Sequence, residues 1–221
     1  TFGYMEGMLI PRGIEALDTL SDPEKNWKMW KKELEINATT AEEDETYVSK
    51  FKRAAKIDLS NFLIIFFQSA FRISFRKAFA WSCFLHTALT FERILKEGVA
   101  ENPVSASTTH DHYISIIYHS TAGILAFYEI PGYMHMILLH GVVSLLSGAL
   151  LLLHPNLFLQ EKADESTTMG KYDTTCILLS SAFGSTLIQR GALILSRVYC
   201  ASASDARCWF LVAIFVTMLA R

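Results

Sequence analysis

The sequence lacks the short motifs that mark common catalytic and nucleotide-binding sites. It contains no glycine-rich phosphate-binding loop, no GxSxG nucleophile motif, no HExxH zinc motif and no glycine pattern for a dinucleotide. No pair of carboxylates stands inside an apolar run to pass a proton. We therefore predict that the chain has no catalytic residues and is not an enzyme by itself, but serves at most as a subunit of an energy-transducing complex.

The sequence also has few cysteines and a small net charge. The four cysteines form no CxxC pair and no cysteine–histidine spacing of the kind that binds zinc, so we predict no metal site. The formal net charge is −2, which is unlike the strongly basic surface of a nucleic-acid-binding protein. We therefore expect no nucleic-acid partner.

Charged residues crowd into residues 1–56, which we predict to be a helical tail outside the membrane. The Ser-Asp-Pro-Glu segment at 21–24 is typical of a helix start, with the serine as the cap. Trp27, Trp30 and Leu34 then share one face, so this amphipathic helix is expected to dock on a neighbour or lie on a membrane surface. A second helix is predicted to start in the Thr-Ala-Glu-Glu segment at 40–43 and to end in a basic cluster that closes with Lys56.

Apolar runs dominate residues 78–221. They cover 78–91, 113–128, Tyr133–Leu153, Thr174–Tyr199 and 208–220. A helix needs about 20 mainly apolar residues to cross a bilayer. Only helices that satisfy their own backbone groups are stable there, so we predict an all-α integral membrane helical bundle with about five spans.

The segment 57–77 is apolar at first but is soon interrupted by Arg72, Arg76 and Lys77. We expect it to form an interfacial or half-inserted helix, with a short tilted span as the alternative. The distribution of lysine and arginine then places the amino-terminal tail on the cytosolic, matrix or stromal side.

Histidines in the apolar runs are the candidate cofactor ligands. His86, His119 and His140 lie deep in their runs, whereas His135 and His154 lie near run ends, where lipid headgroups are expected. A neutral imidazole can ligate haem iron or the magnesium of chlorophyll, and it can hydrogen-bond a quinone. We expect ordinary hydrogen bonds to neighbouring helices for the three deep histidines, and cofactor binding by them is the alternative.

Arg190 interrupts an apolar run. A buried arginine in a bilayer is costly unless it is paired or reaches the interface. We expect its side chain to extend to the membrane surface, with pairing to Glu92 or Glu129 as the alternative.

Small residues recur at helical spacing in one strongly apolar run, at Gly141, Ser144 and Gly148. Such a face lets two helices approach closely. We therefore predict tight helix packing there. The order of apolar runs and polar loops also repeats faintly, once over 78–132 and once over 133–207.

These patterns predict a non-catalytic accessory or structural subunit of a large multi-subunit organellar membrane complex, such as the respiratory chain, ATP synthase or a photosystem. Its partners would be other membrane subunits and lipids. The chain begins with Thr1 rather than Met, as after removal of a targeting peptide or in part of a longer chain. We favour the mitochondrial inner membrane, with the thylakoid as the alternative.

Two functions of other classes remain open. One is a membrane anchor that binds haem, chlorophyll or quinone through its histidines. The other is a small-solute transporter that uses the duplicated helices and Arg190.

Overall fold

The structure is a computed structural model that describes residues 4–33, 41–99, 106–155 and 174–199. Within these ranges the chain forms seven α-helices and no strand, which confirms the all-α prediction. The helices are α1 (Tyr4–Ser21), α2 (Pro23–Glu33), α3 (Ala41–Phe71), α4 (Phe75–Val99), α5 (Ala106–Tyr128), α6 (Tyr133–Leu153) and α7 (Thr174–Tyr199).

Helix α2 begins where the sequence predicts, but its cap is a different residue. The backbone N–H of Lys25 donates to Asp22 Oδ1 at 3.1 Å, so Asp22 caps α2. Ser21 instead belongs to the end of α1, where its hydroxyl donates to the carbonyl of Asp18 at 2.7 Å. The prediction of a serine cap is therefore wrong by one residue.

The apolar face of α2 docks on the bundle. Trp27 is only 2% exposed and packs in a cluster with Ile57 of α3 and Phe183 of α7. Trp30 and Phe51 complete this cluster with ring centroids 5.6 Å apart. Of the two expectations for this helix, docking on a neighbour therefore agrees with the structure, while Leu34 lies outside the described residues.

Helix α3 begins at Ala41, close to the predicted start, but does not end at Lys56. It continues unbroken for 31 residues to Phe71, so a single helix joins the predicted tail to the predicted interfacial segment. Arg72 follows with a φ of 52°, a left-handed conformation that stops the helix before α4 begins at Phe75.

The turn after α5 is fixed by capping interactions. Glu129 has a φ of 56°, and the N–H of Ile130 donates to the carbonyl of Leu125 at 3.1 Å, as in a Schellman motif. Arg76 of α4 donates to the carbonyls of Ala126 and Phe127 and pairs with Glu129. The guanidinium of Arg76 thus provides hydrogen-bond donors to the last carbonyls of α5 and links α5 to α4.

Helices α6 and α7 pack backbone against backbone. A Cβ added to Gly148 would lie 2.6 Å from the carbonyl oxygen of Gly184, and one added to Gly184 would lie 2.8 Å from that of Gly148. Two turns away on each helix, a Cβ added to Gly191 would lie 2.7 Å from the carbonyl oxygen of Gly141. These contacts confirm the predicted tight packing of the small-residue face.

Two of the described helices contain a segment long and apolar enough to cross a membrane, namely Ala54–Phe71 of α3 and the whole of α6. Helix α6 coincides with the strongest predicted span. The α3 segment is the one for which a tilted span was the alternative. Among the described residues, no segment of α4, α5 or α7 meets the same combined test of length, hydropathy and charge, and the run 208–220 lies outside the described residues. About five spans are therefore not confirmed.

Candidate functional site

Buried polar side chains from three helices meet at Arg190 of α7. Its side chain is only 3% exposed, and its Nη1 donates to Ser60 Oγ at 2.7 Å and to Asn61 Oδ1 at 3.3 Å. Its Nε lies 2.9 Å from His140 Nε2. Helices α3 and α6 thus supply every hydrogen-bond partner that Arg190 has among the described residues.

This position corrects the expectation that Arg190 reaches the membrane surface. The guanidinium lies inside the bundle, so that prediction is wrong. The proposed partners are also wrong, because Arg190 contacts neither Glu92 nor Glu129, and Glu129 pairs with Arg76 instead. The physical reason is local: α3 offers a serine and an asparagine at the level of the guanidinium, and hydrogen bonds to neutral groups hold it there.

The contact with Arg190 fixes the tautomer of His140. A guanidinium nitrogen only donates, so His140 Nε2 must accept, and the neutral ring carries its hydrogen on Nδ1. The ring of Tyr118 stacks on this imidazole with centroids 5.6 Å apart and an interplanar angle of 10°. Phe79 also packs edge-on against this imidazole, with ring centroids 5.3 Å apart. Aromatic rings from α4 and α5 therefore enclose the His140 side chain.

The three histidines named as candidate ligands are brought together. The ring centroid of His119 lies 5.3 Å from that of His140 and 4.0 Å from that of His86. At 4.0 Å the stacked rings of His86 and His119 touch, so a flat macrocycle does not fit between these two rings as they lie. His135 and His154, predicted to lie near run ends, are both exposed.

His119 has its own fixed tautomer. Its Nδ1 lies 2.8 Å from the carbonyl oxygen of Ser115, one turn earlier in α5. Because a carbonyl only accepts, Nδ1 donates, and the neutral ring keeps a lone pair on Nε2. A backbone carbonyl that orients an imidazole in this way is common behind ligating histidines.

A second polar group lies one helix further out and joins α1 to α3 and α7. Arg12 donates to Gln189 and, at 3.3 Å each, to Asp58 Oδ2 and Thr186 Oγ1. Thr186 also donates to Asp58 Oδ2 at 3.4 Å. The carboxylate of Asp58 is therefore engaged by Arg12, and it is not the counter-ion of Arg190.

Sequence reasoning missed several of these residues. Ser60 and Asn61 form a polar pair at the start of an apolar run, and Asn61 lies about one helical turn from Asp58; that spacing is the signal that could have found the pair. Arg12 and Tyr118 carry no comparable pattern. Their roles depend on contacts between helices far apart in the sequence.

The described residues contain no group of three or more histidine, cysteine or carboxylate side chains arranged to hold a metal ion. Comparisons of the chain with known protein families, curated proteins and solved structures return no match. Function must therefore be argued from the geometry of the helices.

Proposed function

We propose that the chain is a membrane-embedded, non-catalytic subunit of a larger membrane protein complex. The observation that carries the proposal is the exposure of α6. This helix has 21 residues without a formal charge, yet only 28% of it is buried inside the molecule. Its exposed outer face is built from large apolar side chains: Leu139, Val142, Val143, Leu146, Leu150 and Leu153.

A core helix of a water-soluble protein would bury such a face. Each exposed leucine or valine would cost about 1.5–3 kcal/mol relative to a buried one. A contiguous apolar face of this length is instead typical of contact with lipid or another membrane subunit. The inner face of α6 is the small-residue side that packs on α7, so the two faces have different partners.

Helix α5 favours a protein partner over lipid alone. It exposes Tyr113, Ile114, Ile117, Ile124 and Tyr128. The helix is nevertheless too polar to qualify as a span by hydropathy. The exposed face of α5 therefore combines apolar side chains with tyrosine hydroxyls. Another polypeptide can supply both the apolar contacts and the hydrogen-bond partners that such a face needs.

The organellar location rests on the sequence alone. We propose the mitochondrial inner membrane, with the thylakoid membrane as the alternative. The partners would be subunits of the respiratory chain, of ATP synthase or of a photosystem.

Photo-crosslinking in intact membranes tests the proposal. A photoreactive amino acid is placed at Ile117, which is 65% exposed, or at Ile137, which is 1% exposed and serves as the matched control. We expect discrete crosslinks from position 117 to one or a few membrane proteins and none from position 137. The labelled chain should comigrate with a large complex on a native gel after mild detergent extraction.

Crosslinks to lipid only, together with migration as a lone monomer, would contradict the proposal. Release of the chain from membranes by alkaline carbonate would separately contradict the proposal that the chain is embedded in the membrane.

The convergence of the three histidines favours a second candidate, a membrane anchor that binds haem, chlorophyll or a quinone. His119, with a lone pair on Nε2, is the best placed ligand of the three. An absorption spectrum of the purified chain tests this candidate, because haem and chlorophyll are coloured and a His119→Phe variant should lose the band. Small-solute transport stays a prediction from sequence, favoured only by the buried position of Arg190.

A further inference from the structure

Arg190 places a positive charge in the interior of the bundle, and none of the described residues that it contacts carries a negative charge. An arginine side chain stays protonated in proteins, and its three hydrogen-bond partners are the neutral Ser60, Asn61 and His140. The carboxylate of Asp58, in the neighbouring polar group, pairs with Arg12. A buried charge is costly unless it is both hydrogen-bonded and compensated by an opposite charge.

The polar atoms without a partner at this site include two clear donors. Nη2 of Arg190 is buried and makes no hydrogen bond to the described residues. Among the described residues, Nδ1 of His140 is likewise buried without a partner, and it carries the hydrogen in the tautomer that Arg190 imposes. The hydroxyl of Tyr118, whose ring stacks on His140, is a third buried atom with no partner in the part of the chain that the structure describes. Nη2 of Arg190 and Nδ1 of His140 both lack an acceptor, and Nδ1 points away from the ring edge that faces Arg190.

We propose that Arg190, with His140 beside it, binds a small singly charged anion of about the size of chloride or formate. The anion accepts from Arg190 Nη2 and supplies the missing negative charge. A water molecule would also accept a hydrogen bond, but it would leave the charge uncompensated.

Because Arg190 Nη2 is closed to solvent in the structure, an anion can reach it only if neighbouring side chains move, and this limits the ligand to a few atoms. Arg190 is almost fully enclosed by α3, α6 and α7, and the rings of Phe79 and Tyr118 pack on His140. A free anion of a few atoms meets this geometry better than a lipid phosphate with its two acyl chains. The proposal goes beyond a subunit role, since an anion site can serve in a subunit, an anchor or a transporter.

Chloride is the probe for the test, which uses the purified full chain in detergent. The ³⁵Cl linewidth is measured with and without added bromide, and the thermal midpoint is compared in chloride and in gluconate at one ionic strength. We expect bromide to sharpen the chloride line by displacement. Chloride at ten times its dissociation constant should raise the midpoint by about 3–6 °C over gluconate.

Variants locate the site. Arg190→Gln should abolish both effects, and His140→Phe should weaken chloride binding by about 10-fold or more. Arg76→Gln is the matched control, because Arg76 holds the end of α5 through backbone carbonyls. It should lower the midpoint in both salts and keep the difference between them.

The wild-type chain alone can overturn the proposal, so it stays testable if Arg190→Gln does not fold. Equal midpoints in chloride and gluconate with no effect of bromide on the linewidth would reject the site. A response that persists in both Arg190→Gln and His140→Phe would place the anion elsewhere and also reject it. So would a phospholipid that copurifies with the wild type, is lost from Arg190→Gln and leaves the protein insensitive to chloride.

Discussion

At the scale of single residues, the interior of this bundle is organised by arginines. Arg12, Arg76 and Arg190 each join two or more helices, and each uses a different kind of acceptor. Arg12 contacts a carboxylate and Arg76 adds backbone carbonyls, whereas the partners of Arg190 among the described residues are all neutral side chains. The planar guanidinium, with its five donors, suits this bridging better than a lysine would.

The bond between Arg190 and His140 should contribute measurably to stability. His140→Phe removes the acceptor Nε2 and leaves the charged donor Nε of Arg190 without a partner, so we expect a loss of about 1.5–3 kcal/mol in the free energy of unfolding. The double variant Arg190→Met, His140→Phe should lose less than the sum of the two single changes. Unfolding in detergent across this double-mutant cycle measures the coupling, and additive losses would contradict a direct bond.

Residue roles were predictable only where the sequence pattern is local. The three deep histidines could be selected because each lies away from the ends of an apolar run, and the structure brings them together. The environment of Arg190 could not be predicted, because Ser60 and Asn61 are separated from it by most of the chain. A single arginine in an apolar run has the same sequence pattern whether it points outward or inward.

At the scale of helices, boundaries followed from composition where an apolar run has clear ends. Helices α6 and α7 have the limits of the apolar runs Tyr133–Leu153 and Thr174–Tyr199. The end of α3 could not be found in this way, because its basic stretch up to Lys56 contains no proline or glycine that would break a helix. A change in polarity marks a change of environment, and a helix can continue through it.

The crossing of α6 and α7 depends on the absence of side chains at its contact points. Gly148→Ala and Gly184→Ala each place a Cβ against the carbonyl of the other helix, so we expect each to lower stability by about 1–3 kcal/mol. Val143→Ala, on the exposed face of α6, is the matched control and should change stability little. Thermal unfolding in detergent compares them. A glycine variant as stable as the control would show that the two backbones do not touch.

At the scale of the whole molecule, the exposed apolar surface is concentrated on α5 and α6, while the amino-terminal helices cover α3 and α7. The sequence indicated a polar tail and an apolar body. It could not indicate that the tail packs along the body through Trp27, since that contact joins residues far apart in the chain.

Membrane insertion should depend on the outer face of α6. Leu146→Arg places a charge near the middle of this helix, where it costs about 2.5–3.5 kcal/mol, so we expect less of the chain to resist extraction by alkaline carbonate. Met29→Arg adds the same charge at an exposed position on α2 and is the control, with no change expected. Equal extraction of both variants would argue against α6 as a span.

The bonds of Arg12 also bear on the order of assembly during synthesis. Arg12 belongs to the first helix, and its partner Gln189 is 177 residues further along the chain. The ribosome must therefore complete α7 before this contact can close, and until then Asp58 lacks Thr186, one of its two hydrogen-bond partners among the described residues. We expect the amino-terminal helix to complete its contacts with the bundle last, after the later helices have packed together.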